Sequence, residues 1–349
     1  MGGTRILLFP FALLYDLVTR TRNFLYDRNI LKSVKFEANV IVVGNLAVGG
    51  TGKTPMIETL IRLLQDQYRV ATLSRGYKRK TRGFRIVSGK DTAQTVGDEP
   101  LQIFRKFGKE VFVTVGEERE TAIPFILAEQ PDTDVILLDD AFQYRIVRPS
   151  LNILLTRYTS LFTDDYLMPM GSLRECRGRA SRSDMVVVTD SPPQLSDKEK
   201  TAARQKISKY TPAPVFFSYL DYGKPYPLLK SDEKVREEII LVTGVAKPKP
   251  VKEHISKHYK LKEHLVYSDH FAFKDRDLEK IREKYYRASP EKTSIIITEK
   301  DATKWLDICN TERFSDMSIF VLPVKHNFLE NFGAFKGLII NSVIEYSQP

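Results

Sequence analysis

The feature that most constrains the fold is the stretch VVGNLAVGGTGKTPMIETL, which covers residues 42–60. An apolar run leads into a cluster of glycines that ends in Lys-Thr, and apolar residues at helical spacing follow. This order predicts a strand, a loop whose backbone N–H groups surround phosphates, and a helix. The stretch matches the second half of the Walker A motif, with Ala47 where the motif has its first glycine. The residues predicted to contact nucleotide phosphates are Gly49, Gly50, Thr51, Gly52, Lys53, Thr54 and Pro55.

A second motif extends this prediction to a metal ion. In the Walker A pattern Lys53 reaches the terminal phosphates and the Thr54 hydroxyl can ligate magnesium. The stretch DVILLDD, residues 134–140, places Asp139 and Asp140 at the end of an apolar strand, where a Walker B acid would hold the same ion. Together the two motifs predict a magnesium-nucleotide site.

Short apolar runs alternate with helical segments along the first part of the chain. Runs of this type indicate a parallel sheet that is covered on both faces. The sequence therefore predicts an α/β fold, with a P-loop NTPase-like sheet domain that has helices on both faces. The predicted strands of this domain cover residues 40–43, 70–73, 111–113, 135–138, 151–155 and 185–188.

A change of pattern indicates a second domain. The stretch PAPVFFSYLDYGKPYPLL, which starts at Pro212, has four prolines and no helical period, so we expect an extended two-strand linker. A second α/β block follows, with strands predicted at 239–242 and 294–297, and MSIFVLPV at 317–324 can carry the chain back. The predicted organisation is an N-terminal membrane-associating helix at 1–35, a P-loop kinase domain at 36–212 to which 326–349 returns, a linker at 213–235 and a smaller C-terminal α/β domain at 236–325.

The composition is that of a soluble globular protein, with 42% hydrophobic and 28% charged residues. The length of 349 residues favours two domains of ordinary size. Lys and Arg outnumber Asp and Glu by 54 to 44, and the net charge of +10 favours an anionic partner: a nucleic acid, a phosphorylated substrate or an acidic membrane surface. Cys176 and Cys309 lack the spacing of a disulfide framework or a zinc site, which fits a reducing cytoplasm.

The N-terminal stretch RILLFPFALLYDLVTRTRNFLY contains an apolar run that is too short to span a bilayer, because a spanning helix takes about 20 apolar residues. Leu7, Phe11, Leu14 and Val18 recur at helical spacing, and basic residues outnumber acidic ones around them. Such a helix can lie among the headgroups of an anionic leaflet, or it can dock on the protein's own core. Composition alone favours neither interpretation. We expect the segment to be retained, because charged residues follow the apolar run where a secretory signal has small ones.

Three polar stretches supply further candidate ligand contacts. LSRGYKRKTRGFR, residues 73–85, concentrates basic side chains that either bind an anionic substrate or form a solvated loop. GDEP, residues 97–100, offers Asp98 and Glu99 as a base or, as the residues alone favour, as acids at a helix start. In SDHFAF, Asp269 precedes His270 and can orient it, although such a pair in a loop is usually structural.

Eight motifs follow one another along the chain: VGNLAVGGTGKTP, LSRGYKRKTRGF, GDEP, LLDDAFQYR, PMGSLRE, TGVAKP, SDHFAF and TEKDATK. In this order they resemble the tetraacyldisaccharide 4′-kinases, the lipid A 4′-kinases of Gram-negative bacteria, over nearly the whole chain. The resemblance implies a lipid kinase that uses ATP and Mg²⁺ to phosphorylate the 4′-hydroxyl of a tetraacylated glucosamine disaccharide 1-phosphate.

The resemblance also implies a location and partners. Exposing each CH₂ of an acyl chain to water costs about 0.8 kcal/mol, so such an enzyme has to meet its substrate at the bilayer. We therefore expect a peripheral, monotopic protein at the cytoplasmic face of the inner membrane. Its expected partners are the acylated disaccharide phosphate lipid and the anionic membrane surface, with no nucleic acid, and we expect it to be a monomer.

Carried over by motif, the resemblance assigns roles to site residues. It implies that Lys53 binds phosphate, that Thr54 with Asp139 and Asp140 serves the metal, and that Asp98 is the catalytic base. His270 is then the partner of Asp98. Because the two come from different domains, closure around the linker would assemble the base and exclude water. The candidates for contacts to substrate phosphate or to transition-state charge are Arg75, Arg79 and Arg174.

The sequence departs from the usual family wording in two motifs. In DDAFQYR, Ala141 and Tyr144 stand where the family commonly has Gly and His. Either Tyr144 replaces that imidazole as a neutral donor, or the role of the imidazole is dispensable. In PMGSLRE, Ser172 stands where Arg is common, which puts in doubt an anion contact at that position.

Two other functions compete with the lipid kinase. One is a soluble P-loop kinase of a small metabolite, with the N-terminal helix docked on its own core. The other is a P-loop ATPase or GTPase that acts as a switch or binds nucleic acid. Against the latter, the sequence has no evident NKxD-type guanine motif, and its basic residues cluster near the loop instead of alternating with aromatic residues.

Overall fold

The computed structural model describes residues 7–229, 234–308, 314 and 316–347, and it shows two β-sheets with helices packed against them. The segments predicted at 1–35, 213–235 and 326–349 extend in part beyond the described residues, and Cys309 lies outside them. The strands are β1 (Asn39–Asn45), β2 (Val70–Ser74), β3 (Arg85–Ile86), β4 (Val111–Val115), β5 (Val135–Asp139), β6 (Leu151–Arg157), β7 (Met185–Thr189), β8 (Val215–Tyr222), β9 (Tyr226–Pro227), β10 (Glu238–Thr243), β11 (Lys260–Val266), β12 (Thr293–Thr298), β13 (Ile319–Leu322) and β14 (Val324–Phe328). The helices are α1 (Phe9–Asp27), α2 (Lys53–Leu64), α3 (Ala93–Val96), α4 (Asp98–Phe107), α5 (Arg119–Glu129), α6 (Asp197–Ile207), α7 (Pro248–His258), α8 (Asp275–Arg287), α9 (Glu299–Leu306) and α10 (Phe332–Ser347). Two 3₁₀ helices cover Phe162–Asp164 and Arg177–Arg182.

The larger sheet has nine strands in the order β14-β8-β7-β6-β1-β5-β2-β4-β3. All neighbours from β8 to β4 pair in parallel, and only the two outermost strands, β14 and β3, pair antiparallel. Every residue of β1, β2, β5 and β7 is buried, as expected for strands covered on both faces. The predicted parallel α/β fold is confirmed.

Side chains alternate between the two faces of this sheet, and each face has its own apolar core. Ile41 of β1 faces a core to which α2 contributes Met56 and α10 contributes Phe335. The next residue, Val40, faces the opposite core, to which α5 contributes Ile123 and α6 contributes Ala203. The carboxyl ends of the parallel strands therefore lie between two layers of helices, where the loops can meet a ligand.

The smaller sheet has five strands in the order β11-β10-β12-β13-β9. The first four are parallel, and β9 pairs antiparallel with β13. One face is covered by α8 and α9, which bury Leu278 and Trp305, and α7 buries Val251 on the other.

Two crossovers join the sheets. The segment 213–235 contributes β8 to the larger sheet and β9 to the smaller one, so both of its strands are built into sheets. The stretch 317–324 contributes β13 to the smaller sheet, and the return to the larger sheet is made by β14, which pairs with β8. Where the crossovers meet, the Gly223 backbone N–H donates to the Pro323 carbonyl at 3.0 Å.

Helix α1 is held on the larger domain mainly by polar contacts. The Tyr15 hydroxyl donates to the Arg174 carbonyl at 2.8 Å, and the Asn23 amide donates to Glu175 at 2.9 Å. Its apolar stripe points to solvent, with Phe11 63% and Leu14 61% exposed, and Leu7, just before the helix, is 73% exposed. Within the described ranges, no helix combines the length and the apolar character that crossing a membrane requires.

Candidate active site

The glycine-rich loop follows β1 directly and ends at the first residue of α2, as the motif predicts. Gly49 and Gly52 have φ values of 114° and 81°, which side chains with a Cβ rarely adopt. The start of the loop is held by a segment distant in sequence, because the Val48 N–H donates to the Ser172 carbonyl at 2.8 Å. Gly50 faces the smaller domain, since a Cβ built on it would lie 3.5 Å from that of Ala246.

Lys53, the first residue of α2, lies in a charged cluster at the ends of β1 and β5. Its Nζ is 3.5 Å from Oδ1 of Asp140. The Arg174 guanidinium is 3.1 Å from the same oxygen and donates to the Asn45 side chain at 2.8 Å. Burial would raise the pKa of Asp140, but Lys53 and Arg174 outweigh it and lower this pKa. The structure thus brings Lys53, Asp140 and Arg174 together at the loop.

Asp139, the last residue of β5, has the opposite electrostatic character. It is buried, and its Oδ1 has no hydrogen-bond partner among the residues that the structure describes. Burial and then the charge of Glu99 raise its pKa to about 8, although Lys53 opposes the shift. A buried carboxylate oxygen without a donor is costly unless a cation meets it. This orphaned oxygen, with oxygen donors from Asp140 and Thr54 nearby in the motifs, fits a magnesium ion, which prefers oxygen ligands.

No cluster of three or more His, Cys, Asp or Glu side chains arranged to hold a metal ion occurs in the described part of the chain. Magnesium in nucleotide sites is commonly held by one or two carboxylates together with phosphates and water. The donor set around Asp139 is consistent with that kind of site.

Asp98, at the start of α4, and His270, in the loop before α8, meet across the two domains. His270 Nδ1 lies 2.8 Å from Oδ2 of Asp98. The other carboxylate oxygen, Oδ1, accepts the Glu99 backbone N–H at 3.1 Å. Burial would raise the pKa of Asp98, but the hydrogen bond to His270 and the charge of Lys300 lower it. Asp98 is therefore a buried, ionised carboxylate, which is what a proton acceptor requires.

Lys300 completes this group, and sequence reasoning gave it no role. Its Nζ lies 3.0 Å from His270 Nε2, 2.9 Å from Asp269 and 3.9 Å from Asp98. Burial would lower the pKa of Lys300, but Asp98, Glu99 and Asp269 raise it, so the side chain is an ammonium. An ammonium can only donate, so His270 Nε2 accepts and Nδ1 carries the proton that it donates to Asp98. The sequence feature that could have indicated a role for Lys300 is the position of TEKD at the carboxyl end of β12, because ligand-binding residues are common at such strand ends.

Glu99, which is half-buried, interacts electrostatically with both charged groups, the one around Lys53 and the one around Asp98. Burial and the charge of Asp98 raise the pKa of Glu99, while Lys300 and Lys53 both oppose the rise. Glu99 therefore lies within electrostatic reach of both lysines.

The three arginines predicted to contact substrate differ in their surroundings. Arg174 lies at the phosphate loop, and Arg75 is exposed at the end of β2. Arg79 is turned into its own loop, where its guanidinium pairs with Glu117 at 2.6 Å and bonds the Gly83 carbonyl. We therefore assign Arg79 to holding the basic loop and leave it out of the proposed chemistry.

Arg119 was not singled out by the sequence, yet it is buried beside the site. Only 4% of the residue is exposed, its guanidinium donates to the Glu117 carbonyl at 2.8 Å, and its Nε has no partner among the described residues. Burial lowers its pKa, as does Arg75 to a smaller extent, while Tyr144 and then Asp140 and Asp139 oppose the shift. Its position at the start of α5 carried no motif that would have revealed it.

The residues that depart from the family wording have structural contacts. The Tyr144 hydroxyl donates to Glu120 and accepts the Arg119 backbone N–H at 3.1 Å. Burial and Glu120 raise the pKa of Tyr144 to about 12, so it acts as a neutral donor, but toward the start of α5. Ser172 bonds Asp165, and Ala141 is buried in the core.

The comparisons with known proteins agree with this geometry. Residues 4–343 match the family model described as Tetraacyldisaccharide-1-P 4'-kinase. The tetraacyldisaccharide 4'-kinase of Flavobacterium johnsoniae is 42% identical over 355 residues, with 100% of each chain covered. That of Parabacteroides distasonis is 38% identical, with 97% of this chain and 94% of the relative covered. The crystal structure of LpxK from Aquifex aeolicus in complex with ATP superposes with a TM-score of 0.74 at 29% identity, covering 97% of this chain and 99% of that one.

These matches decide among the functions that the sequence left open, and they confirm the predicted family. The match extends over both domains, so it includes the phosphate loop and the Asp98–His270 pair alike. The chain belongs to the tetraacyldisaccharide-1-phosphate 4′-kinase family and is a kinase of lipid A biosynthesis.

Proposed function

We propose that the chain transfers the γ-phosphate of ATP to the 4′-hydroxyl of its disaccharide lipid, with Asp98 as the base. The observation that carries this proposal is the 2.8 Å hydrogen bond between Asp98 and His270, which joins the two domains beside the phosphate loop. The ATP complex of the Aquifex aeolicus relative supports the choice of nucleotide.

The phosphate loop binds the nucleotide through its backbone and Lys53. Residues 49–54 supply N–H groups, and the positive end of α2 lies at the same place; both favour phosphate, whereas Pro55 has no N–H to donate and can only contact the nucleotide through its ring. Lys53 offsets the charge on the transferred group, and we assign the same role to Arg174, which approaches the same oxygen of Asp140 as Lys53 does. Arg75, which is exposed at the end of β2, is our candidate for contact with the anionic substrate.

Thr54, Asp139 and Asp140 are the residues that would hold Mg²⁺. The ion supplies charge neutralisation for the phosphates when bound. The orphaned Oδ1 of Asp139 supports this assignment, because that oxygen needs a cation to be stable in its ionised form.

Asp98 accepts the proton of the attacking hydroxyl. His270 donates through Nδ1 to Asp98, and Lys300 occupies Nε2, so the imidazole is held as an orienting donor. The proton therefore moves to the carboxylate, and the ring and the ammonium keep that carboxylate in place. The side chains of His270 and Asp98 are only 17% and 8% exposed, which limits the access of water to the pair.

Helix α1 brings the enzyme to the cytoplasmic face of the inner membrane. Phe11, Leu14 and Val18 of α1 are 59–63% exposed, Leu7 just before the helix is 73% exposed, and arginines lie nearby in the sequence. Such a surface favours burial of the apolar side chains at the acyl boundary and contact of the arginines with anionic headgroups. One chain supplies both Asp98 and His270, which supports a monomer as the working unit.

The test is phosphate transfer to lipid. Purified protein is incubated with γ-labelled ATP, Mg²⁺ and tetraacyldisaccharide 1-phosphate in mixed micelles, beside Asp98→Asn and the control Asp132→Asn, whose residue is exposed in a turn. We expect labelled lipid from the wild type and the control, and a loss of roughly 100-fold or more in Asp98→Asn. ATP turnover without labelled lipid would overturn the acceptor, and full activity of Asp98→Asn would overturn the base.

A further inference from the structure

His326 is a buried histidine to which neither the motifs nor the proposed chemistry gives a role. It lies on β14, and the residue is 6% exposed. Its Nε2 is 3.0 Å from the Gly52 carbonyl oxygen in the phosphate loop, and its Nδ1 is 3.1 Å from the Ser218 hydroxyl on β8. The ring therefore connects the last strand of the larger sheet to the loop.

The two partners determine which nitrogen carries the proton. A backbone carbonyl can only accept, so Nε2 must be protonated and donate to Gly52. Nδ1 then accepts from Ser218, which is completely buried. Burial lowers the pKa of His326, so the ring is neutral and this is its single tautomer.

The hydrogen bond from His326 Nε2 reaches the phosphate site through Gly52. The Gly52 carbonyl also accepts the Met56 N–H at 3.1 Å, as the first hydrogen bond of α2. In a trans peptide the carbonyl of Gly52 and the N–H of Lys53 point in opposite directions. A carbonyl held toward His326 thus turns the Lys53 N–H away from the ring, toward the side where the loop meets phosphate.

The strand that carries His326 is also tied to the smaller domain. Val324, at the start of β14, donates its N–H to Glu299 at 3.1 Å, and Glu299 is the first residue of α9. The next residue of that helix is Lys300, which contacts His270. One short path of bonded groups therefore joins the base to the phosphate loop.

We propose that His326 is a positioning residue that orients the Gly52–Lys53 peptide for nucleotide binding and couples it to the crossover between the domains. This inference rests on the proposed function, because it assumes that the loop binds ATP. His326 touches no reacting atom. Its effect is expected on ATP affinity.

The first experiment compares His326→Phe, His326→Gln and the control His258→Phe, whose residue is exposed on α7. The affinity for MgATP is measured by calorimetry, and KM for ATP, KM for lipid and kcat are measured in the transfer assay. Loss of one hydrogen bond predicts roughly 3- to 10-fold weaker ATP binding in His326→Phe. We expect KM for lipid to stay unchanged, and His326→Gln to recover much of the affinity because its amide can donate from nearly the place of Nε2.

Wild-type affinity in a folded His326→Phe would overturn the inference, and so would equal loss of ATP and lipid affinity. Absence of ATP binding in the wild type would instead overturn the proposed function. A second measurement reads the tautomer directly: ¹⁵N spectra of histidine-labelled wild-type protein should contain the signals of a neutral Nε2–H ring that are missing from the spectra of His326→Gln. A Nδ1–H or cationic ring at position 326 would overturn the inference.

Discussion

At the scale of single residues, the active site depends on Lys300 as much as on the pair it supports. The ammonium of Lys300 lies 3.0 Å from His270 Nε2, so it fixes the tautomer that donates to Asp98. It also contacts Asp269, whose side chain accepts the His270 backbone N–H at 3.0 Å. His270 has a φ of 55°, a conformation that non-glycine residues seldom adopt without surrounding support.

We predict that Lys300→Met lowers kcat by roughly 10- to 100-fold, because the imidazole loses its fixed orientation toward Asp98. KM for ATP should change little, since the side chain of Lys300 contacts His270, Asp269 and Asp98. The measurement is steady-state lipid phosphorylation, with Lys292→Met as the control at an exposed lysine. Unchanged kcat in Lys300→Met would show that the ring is oriented without the ammonium.

A pH-dependent effect on stability is expected at His326. Burial lowers its pKa in the folded protein, although the Gly52 carbonyl and the charges of Asp190 and Glu58 oppose the shift. The unfolded chain, with an ordinary pKa of about 6.5, therefore binds more protons below that pH, and the folded state loses stability as the pH falls.

We predict that the free energy of unfolding of the wild type falls more steeply between pH 7.5 and pH 5.5 than that of His326→Gln. The difference can reach about 1.4 kcal/mol per pH unit for one group. Urea unfolding at several pH values measures it, with the exposed His258→Gln as the control. Parallel pH profiles of the two proteins would contradict a neutral buried ring.

The site residues differ in how far the sequence could predict them. Lys53 and its loop follow from a motif whose spacing has a physical reason, and they lie where the motif places them. The contact of Asp98 with His270 could be expected only from the family resemblance, because the two are 172 residues apart in sequence. Arg79 could not be assigned from charge, since its contact with Glu117 depends on how the loop folds back.

At the scale of secondary-structure elements, α1 contacts the larger domain with one side and exposes its apolar side chains on another. Asp27, at its end, pairs with Arg145 and Arg179 at 2.8 Å each, and Ala12 is buried. The apolar stripe that includes Leu14 lies on the exposed side. The sequence showed the stripe, but it could not show which side of the helix contacts the domain, because that depends on distant residues such as Glu175.

We predict that Leu14→Glu weakens binding to phosphatidylglycerol vesicles by roughly tenfold or more, because it removes one leucine that would be buried at the acyl boundary. Vesicle sedimentation measures the effect, with Val266→Glu as a control at an apolar residue that is 57% exposed on β11. Activity on substrate in detergent micelles should decline less than binding to vesicles. Equal vesicle binding by Leu14→Glu and wild type would mean that α1 is not the membrane contact.

The strands are the elements that the sequence predicted best. The run predicted at 135–138 is β5, and the run at 239–242 lies within β10, because uninterrupted apolar runs of this length suit strands buried on both faces. The run at 317–324 was harder to place. Proline at position 323 divides it into β13 and β14, which belong to different sheets, and pairing between distant strands decides such a division.

At the scale of the whole molecule, the two sheet domains are held together by charges that flank the base. Lys106 on α4 lies 2.6 Å from Glu58 of the larger domain and 2.5 Å from Glu299 of the smaller one. The preceding residue, Arg105, pairs with Asp307 at 2.5 Å. The same helix begins with Asp98, so these contacts set how Asp98 meets His270.

Lys106 is the central group of this contact, because it bridges two carboxylates that are nearly completely buried. Burial and the charge of Glu58 raise the pKa of Glu299, and Lys106 opposes the rise. Removing the bridging cation leaves two acids near each other in a poorly solvated interface. The closed arrangement should lose about 1.4 kcal/mol or more, which is a tenfold change in the closing equilibrium.

We predict that Lys106→Met lowers kcat about tenfold and increases the radius of gyration in the absence of ligand, with partial recovery on adding MgATP and lipid. Small-angle X-ray scattering with and without ligands, together with lipid phosphorylation rates, measures both effects, and the exposed Lys109→Met is the control. A normal radius of gyration with reduced kcat would mean that Lys106 acts on the position of α4 and not on the contact between the two domains. A larger radius with normal kcat would mean that closure is fast relative to chemistry, because domains that close only briefly can still bring Asp98 and His270 together in every turnover.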